Sequence, residues 1–223
     1  MFDLISRYGD QILDAFWVTI QLTVLSSVGA LVLGTIVAGL RVSPVPIARG
    51  VGTAYVTLIR NTPLTLIIVF CSLGLYSTMG LTLGGETLNA INFRWAIVGL
   101  SVYTAAFVCE SLRSGINTVP LGQSEAGRSL GLGFSQNLRL IVLPQAFRAV
   151  VAPLGSVLIA LTKNSTIASA IGVAEAAALM ATMNETEADL LAIGAIFALG
   201  FVILTLPTGL FFGWLAKRFE VAR

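Results

Sequence analysis

Long runs of apolar residues without a charged side chain constrain the fold of this chain more than any other feature. Residues 15–40, 61–85 and 190–216 each extend for 25 residues or more without Asp, Glu, Lys or Arg. A helix needs about 20 apolar residues to cross a hydrocarbon core of about 30 Å. Because a bilayer offers no water to satisfy the backbone, only helices and closed barrels span it. The three runs therefore predict three transmembrane helices.

Two further spans are predicted from less uniform sequence. Residues 95–116 end with Glu110 and Arg113, which lie one helical turn apart and can pair near the end of a helix. Residues 144–163 are just long enough to cross a bilayer at a rise of about 1.5 Å per residue. Residues 165–183 contain mostly small residues and one glutamate, which favours a short re-entrant or interfacial helix over a sixth span. The sequence thus predicts an all-α membrane protein with five transmembrane helices.

The composition agrees with a membrane protein and argues against several functions. Hydrophobic residues make up 56% of the chain and charged residues 11%, about half the charged fraction of a soluble domain. The scattered basic residues do not indicate a nucleic-acid partner. The sequence has no histidine, the commonest general base and zinc ligand, so neither a metal site nor an enzyme is indicated. Cys71 and Cys109 are interpreted as packing residues rather than as a disulfide or metal pair.

The distribution of Lys and Arg predicts the orientation of the helices, because cytoplasmic loops carry an excess of these residues. With five spans and the N-terminus outside, only Arg7 and Arg94 lie outside. The basic residues then on or near the cytoplasmic side are Arg41, Arg49, Arg60, Arg113, Arg128, Arg139, Arg148, Lys217, Arg218 and Arg223. The C-terminus is then cytoplasmic, and the longest inner loop covers about residues 117–143. With no visible repeat or linker, residues 1–223 are expected to form a single transmembrane domain.

A polar, glycine-containing segment lies within this inner loop. Residues 124–144 read SEAGRSLGLGFSQNLRLIVLP. The first residues are expected to form about two turns of helix with Ser124 as the N-cap, ended by Gly131, because glycine accepts a positive φ without a steric penalty. A second short helix is expected to rest against the membrane domain until Pro144 begins the next span. The pattern leaves open an amphipathic helix on lipid headgroups or a docking surface for another protein.

The segment resembles the EAA loop of bacterial ABC importer permeases, whose pattern is E-A-A, three residues, G, nine residues, I, one residue, L-P. The matching residues are Glu125, Ala126, Gly127, Gly131, Ile141, Leu143 and Pro144. The one departure is Gly127, where the family usually has alanine; we expect it to loosen the short helix by about 0.5–1 kcal/mol without removing its contacts. The resemblance implies a type I ABC importer permease fold, in which this element, with Arg128, docks in a cleft of a cytoplasmic ATPase.

Other segments resemble polar amino acid permeases of this class, and their details are most similar to glutamate importer permeases of Gram-positive bacteria. The similar segments are LIRNTPLTLIIVF at 58–70, with Asn61 in place of the usual glycine, CESLRSGINTVPLGQSEAGRSLGL at 109–132, and LTKNSTIASAIGVAE at 161–175. The resemblance implies a multi-pass permease of the cell membrane that carries a polar amino acid, glutamate above all. It also implies a second permease subunit, homologous or identical, and an extracytoplasmic amino-acid-binding protein.

Energy coupling is expected to come from another chain. The sequence has no G-x-x-x-x-G-K-[ST] motif, since the glycine cluster SLGLGFS lacks the lysine. ATP and Mg are therefore expected on a separate ATPase, and this chain is expected to be non-catalytic and without a cofactor of its own. The alternative is an ion-coupled secondary transporter or channel. The odd number of spans, the lack of a visible inverted repeat and the few intramembrane acids argue against it.

Lys163 and the three residues after it form a candidate substrate pathway. An unpaired cation in the bilayer costs roughly 2.5–3.5 kcal/mol and normally faces a cavity or a partner. Asn164, Ser165 and Thr166 interrupt the apolar sequence there, as in the broken helices of transporters. In the resembling family an aspartate often follows the lysine, so neutral Asn164 would suit an acidic substrate. The alternative is that Lys163 extends to the outer interface.

Four residues near the inner ends of the second and third spans have either a structural or a gating role. Arg60 and Thr62 are expected to anchor and cap the helix that starts at Pro63. Glu110 and Arg113 are interpreted as an intrahelical ion pair, which stabilises an exposed helix by only a few tenths of a kcal/mol. The alternative is that this pair belongs to the inner gate.

Overall fold

The computed structural model describes residues 2–187 and 189–219, so Arg223, used above to predict orientation, lies outside the described part. Within it the chain is helical and contains no strand. The helices are α1 (Phe2–Val42), α2 (Pro46–Arg60), α3 (Leu64–Val69, continued by a π-helix at Phe70–Thr78), α4 (Leu88–Asn117), α5 (Leu121–Ser129), α6 (Phe134–Asn137, continued by a π-helix at Leu138–Val142), α7 (Leu143–Asn164, continued by a 3₁₀-helix at Ser165–Ile171), α8 (Ala176–Glu187) and α9 (Leu190–Phe219).

Among the described residues, four helices are long and apolar enough to cross a bilayer, and a bent pair provides a fifth candidate. The four are Phe2–Val42, Leu88–Asn117, Phe134–Ile171 and Leu190–Phe219. In the bent pair, α2 and the helix Leu64–Thr78 meet at an angle of 101°. The expected all-α fold is confirmed, and four or five spans agree with the five predicted.

The second predicted span, residues 61–85, is wrong at both ends. Its helix begins at Leu64 and ends at Thr78, and the following turns contain Gly80 and Gly84 at φ values of 71° and 75°. Glycine adopts such positive φ values easily, so an uncharged sequence with several glycines need not continue a helix. Uncharged runs do not predict α2, because its sequence mixes arginines with apolar residues.

A row of small residues lets α1 and α4 pack closely. Ser26, Ala30, Gly34 and Ala38 recur every four residues along α1, which places them on one face, and all are buried. A Cβ added to Gly34 would lie 2.9 Å from the carbonyl oxygen of Ala105 on α4. Lipid provides no hydrophobic driving force between helices, so small residues that permit close packing favour their association.

Two apolar clusters hold the remaining helices together. Leu22, Ile68, Leu100 and Leu161 are fully or almost fully buried where α1, α3, α4 and α7 meet. Around α8, the buried residues of the second cluster are Leu4, Ala176, Met183, Ile193 and Phe197, from α1, α8 and α9. The second cluster therefore attaches α8, which has 12 residues, between two long helices. The prediction that residues 165–183 add no sixth span agrees with this length.

The helix that includes Pro144 begins at Phe134, ten residues earlier than predicted. Proline lacks an N–H group and its ring clashes with the carbonyl four residues before it in a regular α-helix. The chain avoids this clash with the π-helix Leu138–Val142, at whose end the N–H of Leu143 donates to the carbonyl of Leu138. The α-helical part, α7, nevertheless begins at Leu143 and ends at Asn164, so the predicted segment from Pro144 to Lys163 is confirmed, and the π-helix extends it back towards Phe134.

Candidate functional site

The short helix of the EAA-like segment is α5, and it begins before Ser124. Pro120 precedes the first helical residue, Leu121, so Ser124 lies inside α5 and the predicted N-cap is wrong. Proline favours this start because its fixed φ suits the beginning of a helix. Ser124 instead joins α5 to α6. The side-chain amide of Asn137 donates to the Ser124 carbonyl at 2.9 Å and to its hydroxyl at 2.8 Å.

The predicted turn at Gly131 is confirmed. Gly131 has a φ of 82°, its N–H donates to the Arg128 carbonyl at 2.9 Å, and the N–H of Leu132 donates to the Gly127 carbonyl at 3.2 Å. These two bonds form a Schellman motif, which satisfies carbonyls at the end of a helix and reverses the chain. The start of the connection between α5 and α6 is thereby fixed by hydrogen bonds, and at its other end the N–H of Gly133 donates to Oε1 of Gln136 at 3.0 Å.

Gly127 is the point at which α5 contacts the next helix. The residue is buried, and a Cβ added to it would lie 2.5 Å from Cδ1 of Ile141 and 2.8 Å from Oδ1 of Asn137. Such distances are well below van der Waals contact, so a methyl group would displace a neighbour. Helix propensity makes Gly127 only a weaker helix former, whereas the structure also requires its small size.

The remaining surface of α5 is exposed. Glu125, Ala126 and Arg128 all lie on it, and Leu121 and Leu130 at its two ends are 80% and 82% exposed. At 100° per residue the two leucines point in nearly opposite directions around the helix. The helix therefore has no single apolar face to lay on lipid, which favours a docking surface over an amphipathic surface helix.

A cluster of charges joins three helices near the start of this loop. Glu110 on α4 accepts a hydrogen bond from Arg41 at the end of α1, and it lies 3.7 Å from Arg60 on α2 and 3.8 Å from Arg113. The guanidinium of Arg60 also lies 5.5 Å from the ring centroid of Phe107. The predicted pairing of Glu110 with Arg113 is thus present, within a larger network. Arg41 was missed as a partner, since its position in the sequence indicated only topology.

Thr62 caps α2 rather than the helix after it. Its hydroxyl donates to the carbonyl of Leu58 at 2.8 Å, in the last turn of α2. Pro63 then precedes α3. Together with the contact of Arg60 to Glu110, this hydrogen bond fixes the corner where the chain bends between α2 and α3.

The four residues of the candidate substrate pathway do not converge. Ser165 donates its hydroxyl to the carbonyl of Thr162 at 2.7 Å, and Thr166 donates to that of Lys163 at 2.8 Å, so both hydroxyls are engaged at the end of α7. Lys163 is exposed, whereas Asn164 faces a cavity of about 360 Å³ between α4 and α7. The residues that line it are Tyr103, Thr104, Phe107, Ser156, Val157, Ala160, Leu161 and Asn164.

The chain folds as a bundle of apolar helices with a polar helical hairpin, α5 and α6, between two candidate spans, which is the class of a multi-pass membrane protein. Comparison with known families makes the class specific. Residues 30–221 match the family described as binding-protein-dependent transport system inner membrane component, and the chain belongs to this family of ABC importer permeases.

Two permeases named as amino acid transporters are similar along nearly their whole length. The chain is 58% identical to the glutamate transport system permease protein GluC of Corynebacterium efficiens, with 96% of each chain covered. It is 37% identical to the probable glutamine ABC transporter permease protein GlnM of Bacillus subtilis, covering 99% of this chain and 96% of that one. The resemblance noted in the sequence is therefore confirmed.

Solved structures share the fold. One described as the crystal structure of an amino acid ABC transporter with histidines superposes with a TM-score of 0.86 at 25% identity, over 98% of each chain. An inward-facing MetNI methionine ABC transporter superposes with a TM-score of 0.76 at 20% identity, over 96% of this chain and 99% of that one. Family and fold together identify a membrane transport subunit of an ABC importer, which disfavours the ion-coupled secondary transporter or channel.

Proposed function

We propose that this chain is the permease of an ABC importer that moves a polar amino acid inward, with glutamate as the principal substrate. Two relatives, from Corynebacterium efficiens and Corynebacterium glutamicum, are named glutamate transport system permeases, and the chain is 58% and 56% identical to them. ATP and Mg bind to a separate cytoplasmic ATPase. A second permease subunit, homologous or identical, completes the pathway, and an extracytoplasmic binding protein delivers the amino acid.

The shape of α5 carries this proposal. Glu125, Ala126 and Arg128 present an exposed surface, while Gly127 on the opposite side is buried against α6 and the π-helix. This exposed surface enters a cleft of the ATPase. Because Asn137 and the turn at Gly131 hold α5 by hydrogen bonds, a movement of the ATPase is passed on rather than absorbed by the loop.

The helix after α5 extends from the loop to the cavity. Residues Phe134–Ile171 form one helical element of 38 residues that includes Asn164, which lines the cavity. A displacement of α5 therefore tilts the wall of the cavity. ATP drives transport only through its different affinity for the two arrangements, as in any two-state coupling. In the orientation predicted from Lys and Arg, α5 and the C-terminus are cytoplasmic and the N-terminus lies outside.

Charge reversal on α5 tests the proposal. The complex with its ATPase and binding protein is purified, reconstituted in vesicles and assayed for glutamate uptake and ATP hydrolysis. Glu125→Lys with Arg128→Glu is expected to lower ATP-driven uptake at least about tenfold. Each reversed side chain would then meet a group of like charge on the ATPase, and the two would repel each other. Glu86→Lys, in the turn before α4, is the matched control and should retain uptake. Unchanged coupling in the double variant, or uptake without any ATPase, would refute the proposal.

A further inference from the structure

A second cavity, open to the surface and with a polar lining, is formed by the end of α1, the middle of α2 and the end of α4. It shares no lining residue with the cavity at Asn164. Its volume is about 690 Å³. The side chains that give it its character are Arg41, Arg49, Arg113, Thr53 and Thr57, and none of its lining residues is acidic. A cavity with three guanidinium groups, two hydroxyl groups and no carboxylate is suited to an anion.

The charges around the cavity are not balanced within residues 2–187 and 189–219. Arg41, Arg60 and Arg113 all approach the same carboxylate, that of Glu110. Arg49 donates instead to two backbone carbonyls, those of Ser43 at 3.1 Å and Pro44 at 3.2 Å. Four guanidinium groups against one carboxylate leave an excess of three positive charges.

Part of this excess is shielded from water, although Arg49 is exposed and the side chains of Arg60 and Arg113 are 46% and 42% exposed. The side chain of Arg41 is only 11% exposed, and Glu110 is 29% exposed. Repulsion between like charges is weakly screened where water is excluded, so an additional anion would lower the energy of the cluster. The single negative charge of Glu110 faces three of these arginines, and Arg49 has only backbone carbonyls as partners.

The outer surface of α2 indicates where that anion comes from. Ile47, Val51 and Leu58 follow one another along one side of the helix and are 79%, 58% and 68% exposed. Gly52 and Val56, on the other side, are buried against the bundle. An exposed apolar stripe next to basic residues is typical of a helical segment that contacts lipid near the headgroups. Anionic headgroups attract basic segments at this depth.

We propose that this cavity binds a phosphate-bearing anion, with Arg49 and Arg113 donating to the phosphate oxygens and Thr53 and Thr57 contributing hydroxyl groups. Guanidinium groups are suited to phosphate because they donate two parallel charge-assisted hydrogen bonds. The phosphate belongs either to the headgroup of an anionic phospholipid or to a free phosphate ion. The bound anion holds together the arginines that join α1, α2 and α4, next to the loop that leads to α5.

The test compares lipid and ion on the purified complex with its partner subunits. After delipidation, native mass spectrometry measures the affinity for phosphatidylglycerol and for zwitterionic phosphatidylcholine. A second arm measures the thermal stability of the complex with inorganic phosphate against chloride at equal ionic strength. Wild type is expected to bind phosphatidylglycerol about tenfold more tightly, which corresponds to about 1.4 kcal/mol. Arg49→Gln should remove this preference, and Arg148→Gln, an exposed arginine outside the cavity, should keep it.

The outcomes separate the two sources. A preference for phosphatidylglycerol that depends on Arg49 supports a lipid headgroup; stabilisation by inorganic phosphate that depends on Arg49, without a lipid preference, supports a free ion. Because Arg49 also holds the turn at Ser43, a Thr53→Val, Thr57→Val variant that keeps the arginine repeats both measurements. No binding in either arm, or equal losses in the Arg49→Gln and Arg148→Gln variants, would overturn the proposal.

Discussion

The contact between Gly127 and Asn137 governs the position of α5 at the scale of single residues. Asn137 is 5% exposed and its amide group donates both of its bonds to Ser124. Each such bond contributes about 1 kcal/mol net, and a buried amide that loses its partner costs about 1–3 kcal/mol. The absence of a side chain at Gly127 is what allows Asn137 to reach Ser124 without a clash.

Gly127→Ala is therefore expected to weaken the loop, although alanine is the better helix former and the usual residue in the family. The added methyl would meet Asn137 and Ile141, and overpacking of this kind costs about 1–3 kcal/mol. The measurements are uptake per ATP hydrolysed and hydrogen exchange of residues 121–137. Gly122→Ala, on the same helix but with nothing within 4 Å, is the control and should be neutral or slightly stabilising.

A double-mutant cycle checks the cause. If the clash with the Asn137 amide is responsible, Asn137→Ala should cost less in the Gly127→Ala background than in wild type. Simple additivity of the two changes would show that the Asn137 amide is not the cause, and would leave Ile141 as the neighbour that the methyl group displaces.

The residues at the end of α7 give a prediction about charge. Asn164 lines the cavity and Lys163 does not, so Asn164→Asp is expected to reduce glutamate uptake at least about tenfold, because a carboxylate there repels an acidic substrate. Lys163→Gln should have the smaller effect. Both are measured as uptake by reconstituted complexes with equal membrane insertion. Full activity in Asn164→Asp would exclude the cavity as the route of glutamate.

At the scale of elements, hydropathy predicts a helix only where apolar residues are continuous. Each of the runs at 15–40, 95–116 and 190–216 falls inside one helix. A long, largely uncharged run is enough to predict a membrane-spanning helix. The helix Pro46–Arg60 could not be found in this way, since it lies along the bundle and buries only one side. The π-helix Leu138–Val142 depends on how the backbone accommodates Pro144. The average hydropathy of a segment carries no information about that.

The packing of α1 on α4 gives a prediction at the same scale. Gly34→Ala places a methyl 2.9 Å from a backbone carbonyl of α4, which cannot rotate away as a side chain can. The free energy of unfolding, measured by titration with SDS, is expected to fall by about 1–3 kcal/mol. Gly39→Ala on the same helix has nothing within 4 Å and should be neutral or stabilising. Equal stabilities for the two variants would contradict the proposed close approach.

At the scale of the whole molecule, local motifs could be predicted but contacts between distant residues could not. The turn at Gly131 and the pairing of Glu110 with Arg113 involve neighbours in sequence, and both are present. The bond between Arg41 and Glu110 joins residues 69 positions apart. Nothing in the sequence around Arg41 specifies that partner, because it depends on how α1 and α4 are aligned, and that alignment is set by small residues along both helices.

The direction in which the bundle crosses the membrane gives the last prediction. Lys and Arg are in excess on the side of the bundle where α5 lies, which predicts that this side is cytoplasmic. The proposed docking of α5 in an ATPase requires the same orientation. The turns between α3 and α4 are then outside. Thr82→Cys, in those turns, should react with an impermeant maleimide in intact cells. Gly122→Cys, on α5, should react only after permeabilisation. Cys71 and Cys109 are buried, so the wild-type chain should give little background. The reverse pattern of labelling would place α5 beyond the reach of any cytoplasmic ATPase and would remove the basis of ATP coupling through it.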